Sequence, residues 1–276
     1  MKNILRASRR KFLAQSAASA AAFSLGACAS TPAKPRTGPD AIVDVTFSGK
    51  PGSLVEGVPT YATVAAAIDA APAFGGGWQI RVRKGRYVEK LAVIASGVHL
   101  IGDDREQTVI SFDAWAGQAK PGGAGVWGTE GSATLTIRAV DFTAENLTVE
   151  NSFDWIANDA LGSSHPAYLR NTQALAIFIG GNADRIVFRN VKLVSCQDTL
   201  CPHVGRSLFQ NCSISGNVDF IFGGGQAWFE ACDIITRPAG RVTTKVGYVT
   251  APSTSIHKPY GFIFLRCKLL KESWAT

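Results

Sequence analysis

One short pattern of apolar and polar positions recurs through the second half of the chain. It reads Ala144-Glu-Asn-Leu-Thr-Val149, then Phe188-Arg-Asn-Val-Lys-Leu193, Phe209-Gln-Asn-Cys-Ser-Ile214, Phe229-Glu-Ala-Cys-Asp-Ile234 and Phe264-Leu-Arg-Cys-Lys-Leu269. The copies start 44, 21, 20 and 35 residues apart. The spacings fit a period of about 20–24 residues, with the first spacing worth about two periods and the last one period plus an insertion. Short strands at that period, with no helical segment in each repeat, predict an all-β fold, a parallel β-helix in which each repeat stacks on its neighbour. A leucine-rich repeat has a similar period, but its Leu and Asn frame is absent. Equivalent positions of successive coils would lie about 4.8 Å apart. Leu147, Val191, Cys212, Cys232 and Cys267 would then form one interior column.

Upstream, residues 41–47 alternate as a first strand. Val64, Ala67, Ile68 and Ala71 share one face of a short amphipathic helix within Thr60–Ala71, stopped by Pro72, which would cap the N-terminal end of the coil. Trp78–Val82, Leu91–Ile94, Val98–Ile101 and Thr108–Ser111 read as short strands punctuated by Gly85, Gly97 and Gly102. Two stretches, 113–132 and 152–172, read as loops.

The candidate chemistry lies on this repeat. Gly216-Asn-Val-Asp-Phe-Ile-Phe-Gly223 places one carboxylate, Asp219, inside an apolar run, where a charge needs a partner or a purpose. Gln197-Asp198 precedes it by 21–22 residues, and Gln173 lies 24 residues before Gln197. On a coil of that period the four side chains share one face on three consecutive rungs. Two carboxylates one rung apart repel when both are charged, so one keeps a proton near neutral pH. The two glutamines add neutral N–H donors. A carboxylate nucleophile, a carboxylic acid for the leaving group and amide donors for an oxyanion suit attack on an ester carbonyl without a metal or other cofactor. Glycoside hydrolysis also uses paired carboxylates but has less need of the glutamines. No Gly-x-Ser-x-Gly elbow is present, and His99, His165, His203 and His257 stand in no ligand spacing.

The N-terminus changes the picture of charge and location. Ser8-Arg9-Arg10-Lys11-Phe12-Leu13, followed by the Ala-rich run to Leu25, resembles a twin-arginine export signal over residues 1–27. Leu25-Gly26-Ala27-Cys28 resembles a lipobox, with Cys28 as the lipidated first residue of an outer-membrane lipoprotein, or else a cleavage site that leaves a periplasmic protein. Residues 28–40 are a Pro-rich tether, and residues 41–276 are the β-helix domain. The formal charge of +7 owes five basic residues to the leader; without them 23 basic residues face 21 acidic ones, and nucleic-acid binding is not expected. An exported setting permits a disulfide between Cys212 and Cys232, on adjacent rungs, whose alternative is a pair of buried thiols. Cys267 is expected to stay free.

Three stretches, Gln173-Ala-Leu-Ala-Ile177, Cys196-Gln-Asp-Thr-Leu200 and Gly216–Gly223, resemble the pectin methylesterase family. Lys84-Gly-Arg-Tyr-Val-Glu89 and Leu100-Ile-Gly-Asp103 resemble its opening rungs, so the likeness extends over most of residues 41–270. The resemblance implies a right-handed parallel β-helix that demethylates polygalacturonate, releasing methanol, with no cofactor. By motif it makes Asp219 the nucleophile and Asp198 the acid, then the base. Gln197 and Gln173 become the oxyanion hole, and Phe220 lines the sugar cleft. Methyl-esterified pectin would be the partner of a monomer held to the membrane by its lipid. Two departures stand out. Cys201 occupies the place of a usual Tyr, which removes an aromatic wall. The family's downstream Leu-Gly-Arg-Pro-Trp motif, whose Arg pairs with the nucleophile, is not matched by Arg237-Pro238, and the chain is expected to be a C-terminally truncated member. Two rival functions are an esterase or thioesterase for another small ester and a non-catalytic coil that binds acidic polysaccharide.

Overall fold

Among the described residues every pairing between strands but one is parallel, and successive strands of each sheet belong to successive turns of one coil. The structure is a computed structural model that describes residues 38–73, 77–240 and 247–272. The export signal, Cys28 and the tether as far as residue 37 lie outside the described residues. Three sheets of ten, seven and six strands run along the coil, making a right-handed parallel β-helix. The exception is the hairpin of Ser53–Val55 and Val58–Tyr61 at one end of the ten-stranded sheet.

The repeat in the sequence is the register of the coil. Ala144 pairs with Phe188, Phe188 with Phe209, Phe209 with Phe229 and Phe229 with Phe264. Phe188, Phe209 and Phe229 stack inside and Phe264, which is exposed, continues the stack, with ring centroids 5.1, 4.8 and 4.6 Å apart along the series from Phe188 to Phe264. Burying each such ring contributes about 2–3 kcal/mol. Leu147, Val191, Cys212 and Cys232 form the expected interior column, all buried, with Cys267 partly buried against it.

The third place of the frame, Asn in three copies and Ala231 or Arg266 in the other two, marks a corner. Between the ten- and seven-stranded sheets the chain turns through one residue, and Asn146, Asn190 and Asn211 have φ of 54°, 50° and 53° there. Asn tolerates this left-handed conformation better than most residues with a Cβ. Asn190 Nδ2 also donates to Asn146 Oδ1 at 2.8 Å, so two corners are tied across one coil.

Two expectations need correction. The 44-residue spacing from Ala144 to Phe188 is one turn of the coil, because the two strands pair directly. The excess is extruded as residues 152–172, which are not simply loop. Besides α1 (Val64–Asp69) and α2 (Gly128–Gly131), the chain forms α3 (Trp155–Leu161) there. Asp154 caps α3, its carboxylate accepting from Ala157 N at 2.9 Å, and Gly162 (φ 82°) closes it. The second correction concerns sulfur. Cys212 and Cys232 are free thiols, as are Cys196, Cys201 and Cys267. Stacking brings the thiols of Cys212 and Cys232 into contact, and each Sγ also lies against a main-chain carbonyl, of Phe188 at 3.5 Å and of Phe209 at 3.3 Å respectively.

The first coil is sealed as expected. Thr63 caps α1 through Ala66 N, and the Glu89 carboxylate accepts from Val64 N and Ala65 N at 2.8 Å each, a favourable place for negative charge. Val64, Ala67 and Ile68 are buried against the core.

Candidate active site

The six-stranded sheet begins, in two successive coils, at a left-handed corner occupied by aspartate. Asp198 has φ of 65° and Asp219 of 48°. Gln197 bridges Val218 in parallel register, and Asp198 N donates to Val218 O at 3.0 Å, so the two aspartates hold equivalent places one coil apart. Asn and Asp accept such φ values more readily than other residues, and the bend aims the side chain away from the strand that follows. Ala174 N donates to Gln197 O at 3.2 Å, which sets Gln173 on the preceding coil. The four residues singled out in the sequence therefore lie side by side across three coils.

Their environments differ. Asp198 is buried, at 7% exposure, while Asp219 is half-buried. Burial, and then the charge of Asp219, push the Asp198 carboxyl up to about 7. Among the described residues neither carboxylate has an ion-pair or hydrogen-bond partner. Arg237, of the Arg-Pro pair that does not match the expected motif, is engaged with other groups. Its Nη1 donates to Ser195 O at 3.0 Å and lies 3.4 Å from Cys196 Sγ, and its Nε pairs with Glu272 at 3.1 Å.

The two glutamines also differ. Gln197 Oε1 accepts from Trp155 Nε1 and from Thr172 Oγ1, both at 3.2 Å. The side chain of Gln173 has no hydrogen-bond partner among the described residues. Sequence reasoning missed Trp155 and Thr172 because it read 152–172 as a loop. The signal was there, in the Asp154 cap and Gly162 stop of a seven-residue helix.

Phe220 does not line a cleft. Its side chain is fully buried in the core, at 0% exposure. The corner at Asp219 resets the inward–outward alternation, and Gly216 makes room: a Cβ there would lie 2.2 Å from Phe220 Cβ and 2.7 Å from Thr199 Oγ1. Phe222 is the aromatic on the outer face. It packs with Phe178 and Cys201, which occupy the same column of the six-stranded sheet. Beside Gln173, whose carbonyl accepts from Ala116 N at 2.8 Å, Trp115 stacks on Phe153 with centroids 5.0 Å apart. Both rings are half-buried and present a flat apolar surface next to the polar cluster.

Comparison with known proteins gives the family. A family model described as Pectinesterase matches residues 54–275. Pectinesterase A of Dickeya dadantii is 42% identical over 219 residues, covering 78% of this chain and 59% of its own length. The chain thus spans about three fifths of the length of this relative and of its Dickeya chrysanthemi counterpart. A crystal structure of pectin methylesterase in complex with a hexasaccharide superposes with a TM-score of 0.78 at 40% identity, covering 86% of this chain and 68% of that one. Pectin methylesterase from Erwinia chrysanthemi gives 0.77 at 39% identity, with the same coverage. With the fold, the placement of the motifs and the family match in agreement, the chain belongs to the pectinesterase family.

Proposed function

We propose that the protein hydrolyses the methyl esters of polygalacturonate, releasing methanol, with Asp219 as nucleophile. The observation that carries this reading is the pair of aspartates one coil apart in unequal environments. Asp198, held up to about 7, is still protonated in about half of the molecules at pH 7, where an ordinary aspartate would be fully ionised. The Asp219 carboxylate attacks the ester carbonyl carbon, and the carbonyl oxygen takes the negative charge. The amide N–H groups of Gln197 and Gln173 stabilise that oxygen as it forms. Collapse of the intermediate expels the methoxy group, which leaves as methanol with the Asp198 proton, and Asp219 remains bound as an acyl anhydride. Asp198, now a carboxylate, takes a proton from water. The resulting attack on the anhydride yields the free galacturonate carboxylate and restores Asp219. Trp115 and Phe153 offer a surface on which the apolar face of a sugar ring can lie.

The substrate is supported by the hexasaccharide complex of a similar enzyme. The test is methanol release from methyl-esterified pectin, beside hydrolysis of an acyl thioester. Methanol without thioester cleavage is the expected result. Binding of pectin with no methanol, both from this chain and from a version lengthened by the C-terminal part of the Dickeya enzyme, would identify a polysaccharide-binding coil instead.

The leader supports export and attachment to the outer membrane through a lipid on Cys28. The full chain expressed in a Gram-negative host should fractionate with outer membranes, and Cys28→Ala should move it to the soluble periplasmic fraction. Equal partition of the two forms would remove the anchor from this reading.

A further inference from the structure

We infer that Trp155 and Thr172 are positioning residues that fix which end of the Gln197 side-chain amide faces the reacting ester; this rests on the esterase reading above.

A glutamine side chain is ambivalent. Its terminal torsion is broad and two-fold, so the amide can present either N–H donors or a carbonyl acceptor to the same point. For an oxyanion hole the difference is one of sign, since a carbonyl dipole aimed at a developing negative oxygen repels it. Gln197 carries two constraints that remove the ambiguity. The indole N–H of Trp155 can only donate, so the atom it meets at 3.2 Å must be oxygen. Thr172 Oγ1 lies 3.2 Å from the same oxygen. With Oε1 held twice, Nε2 is turned the other way, and it has no partner among the described residues. Gln197 is thereby set as a donor before substrate arrives. Gln173, with no comparable hold, takes its orientation from what it binds.

The extruded part of the coil supplies both constraints. Trp155 opens α3 and is 8% exposed; Thr172 closes the excursion and is also 8% exposed. Asn158, on α3, ties the two ends together. Its Oδ1 accepts from Leu169 N at 2.8 Å, and its Nδ2 donates to Leu169 O at 3.1 Å. Residues 152–172 therefore interrupt the regular repeat where the site needs a second layer, and they return two donors to one atom.

The test uses the full chain with Trp155→Phe, which keeps the ring and loses the N–H, Thr172→Val, and Thr172→Ser as the conservative control. On methyl-esterified pectin, kcat should fall about 10-fold for each of Trp155→Phe and Thr172→Val and about 100-fold for the pair, the range of one lost oxyanion donor. KM should change less than about two-fold, and Thr172→Ser should match the parent, because only the hydroxyl is needed. In a Gln197→Ala background the same changes should have no further effect. Unchanged kcat, or the same losses when Gln197 is already Ala, would overturn the proposal.

A second readout is independent of activity. The Trp155 indole 1H–15N resonance should move on Gln197→Ala and stay in place on Asp219→Asn. An indole signal indifferent to Gln197 would sink the proposal even in an active enzyme. An indole signal that moves as expected in a protein that releases no methanol would instead count against the esterase reading alone.

Discussion

Asp219→Asn and Asp219→Ala should each lower methanol release by about 10⁴-fold or more, the scale on which enzymes lose rate with their nucleophile. The two variants separate chemistry from folding. Asp219 sits at φ 48°, where a residue other than Gly, Asn or Asp is strained by about 1–2 kcal/mol. Asparagine keeps the shape and the corner but cannot form the acyl anhydride. Alanine removes the proposed nucleophile and also strains the backbone. Equal loss of rate in both, with a lower melting temperature only in Asp219→Ala, is the expected pattern, read from methanol assays and thermal unfolding side by side. Substantial release by Asp219→Asn would end the nucleophile assignment. Both substitutions also remove the negative charge that is the second cause of the raised Asp198 carboxyl, after burial, so that group should titrate lower in either variant.

Much of this arrangement is legible in the sequence because a coil turns periodicity into geometry. The Phe frame gave the register residue by residue: Phe188, Phe209, Phe229 and Phe264 pair as their spacing requires. Gln173, Gln197, Asp198 and Asp219 could be stacked on paper for the same reason. The corners at the third place of the frame were not read from the sequence, because Ala231 and Arg266 stand there at φ of 53° and 55° in two copies where Asn stands in the other three. What stayed hidden breaks the period or depends on direction. Ala144 and Phe188 looked two repeats apart because an excursion of helix and loop is invisible to a repeat count. Phe220 seemed to flank the nucleophile, but the left-handed corner at Asp219 shifts the alternation by one and sends the ring inward. Cys212 and Cys232 were placed correctly as neighbours, and their thiols do meet, yet two thiols in contact on adjacent coils need not be joined.

Asp198→Asn should give the second large effect, and its sign can be worked out for both rate and stability. At pH 7 about half of the Asp198 groups carry the proton that methanol needs, because the carboxyl is pushed up to about 7. Acylation should therefore fall about tenfold per pH unit above that point, and asparagine, with no proton to give or take, should lose about 10²–10⁴-fold and show no such limb. Stability runs the opposite way. The folded group titrates near 7 and its ordinary value is 3.8, so the native state holds a proton that the unfolded chain releases. The contribution of Asp198 to stability is complete below about pH 4, declines as pH rises through about 7, and stays lost above it. At full weight the shift corresponds to roughly 4 kcal/mol, and with relaxation of the buried site about 2 kcal/mol is the better expectation. Asparagine has the same shape, accepts the φ of 65° and never ionises. Denaturant unfolding should find Asp198→Asn close to the parent at pH 4 and more stable by about 2 kcal/mol at pH 8. A difference that is the same at both pH values would mean that Asp198 is already ionised in the folded protein, and the acid of the reaction would have to be sought elsewhere.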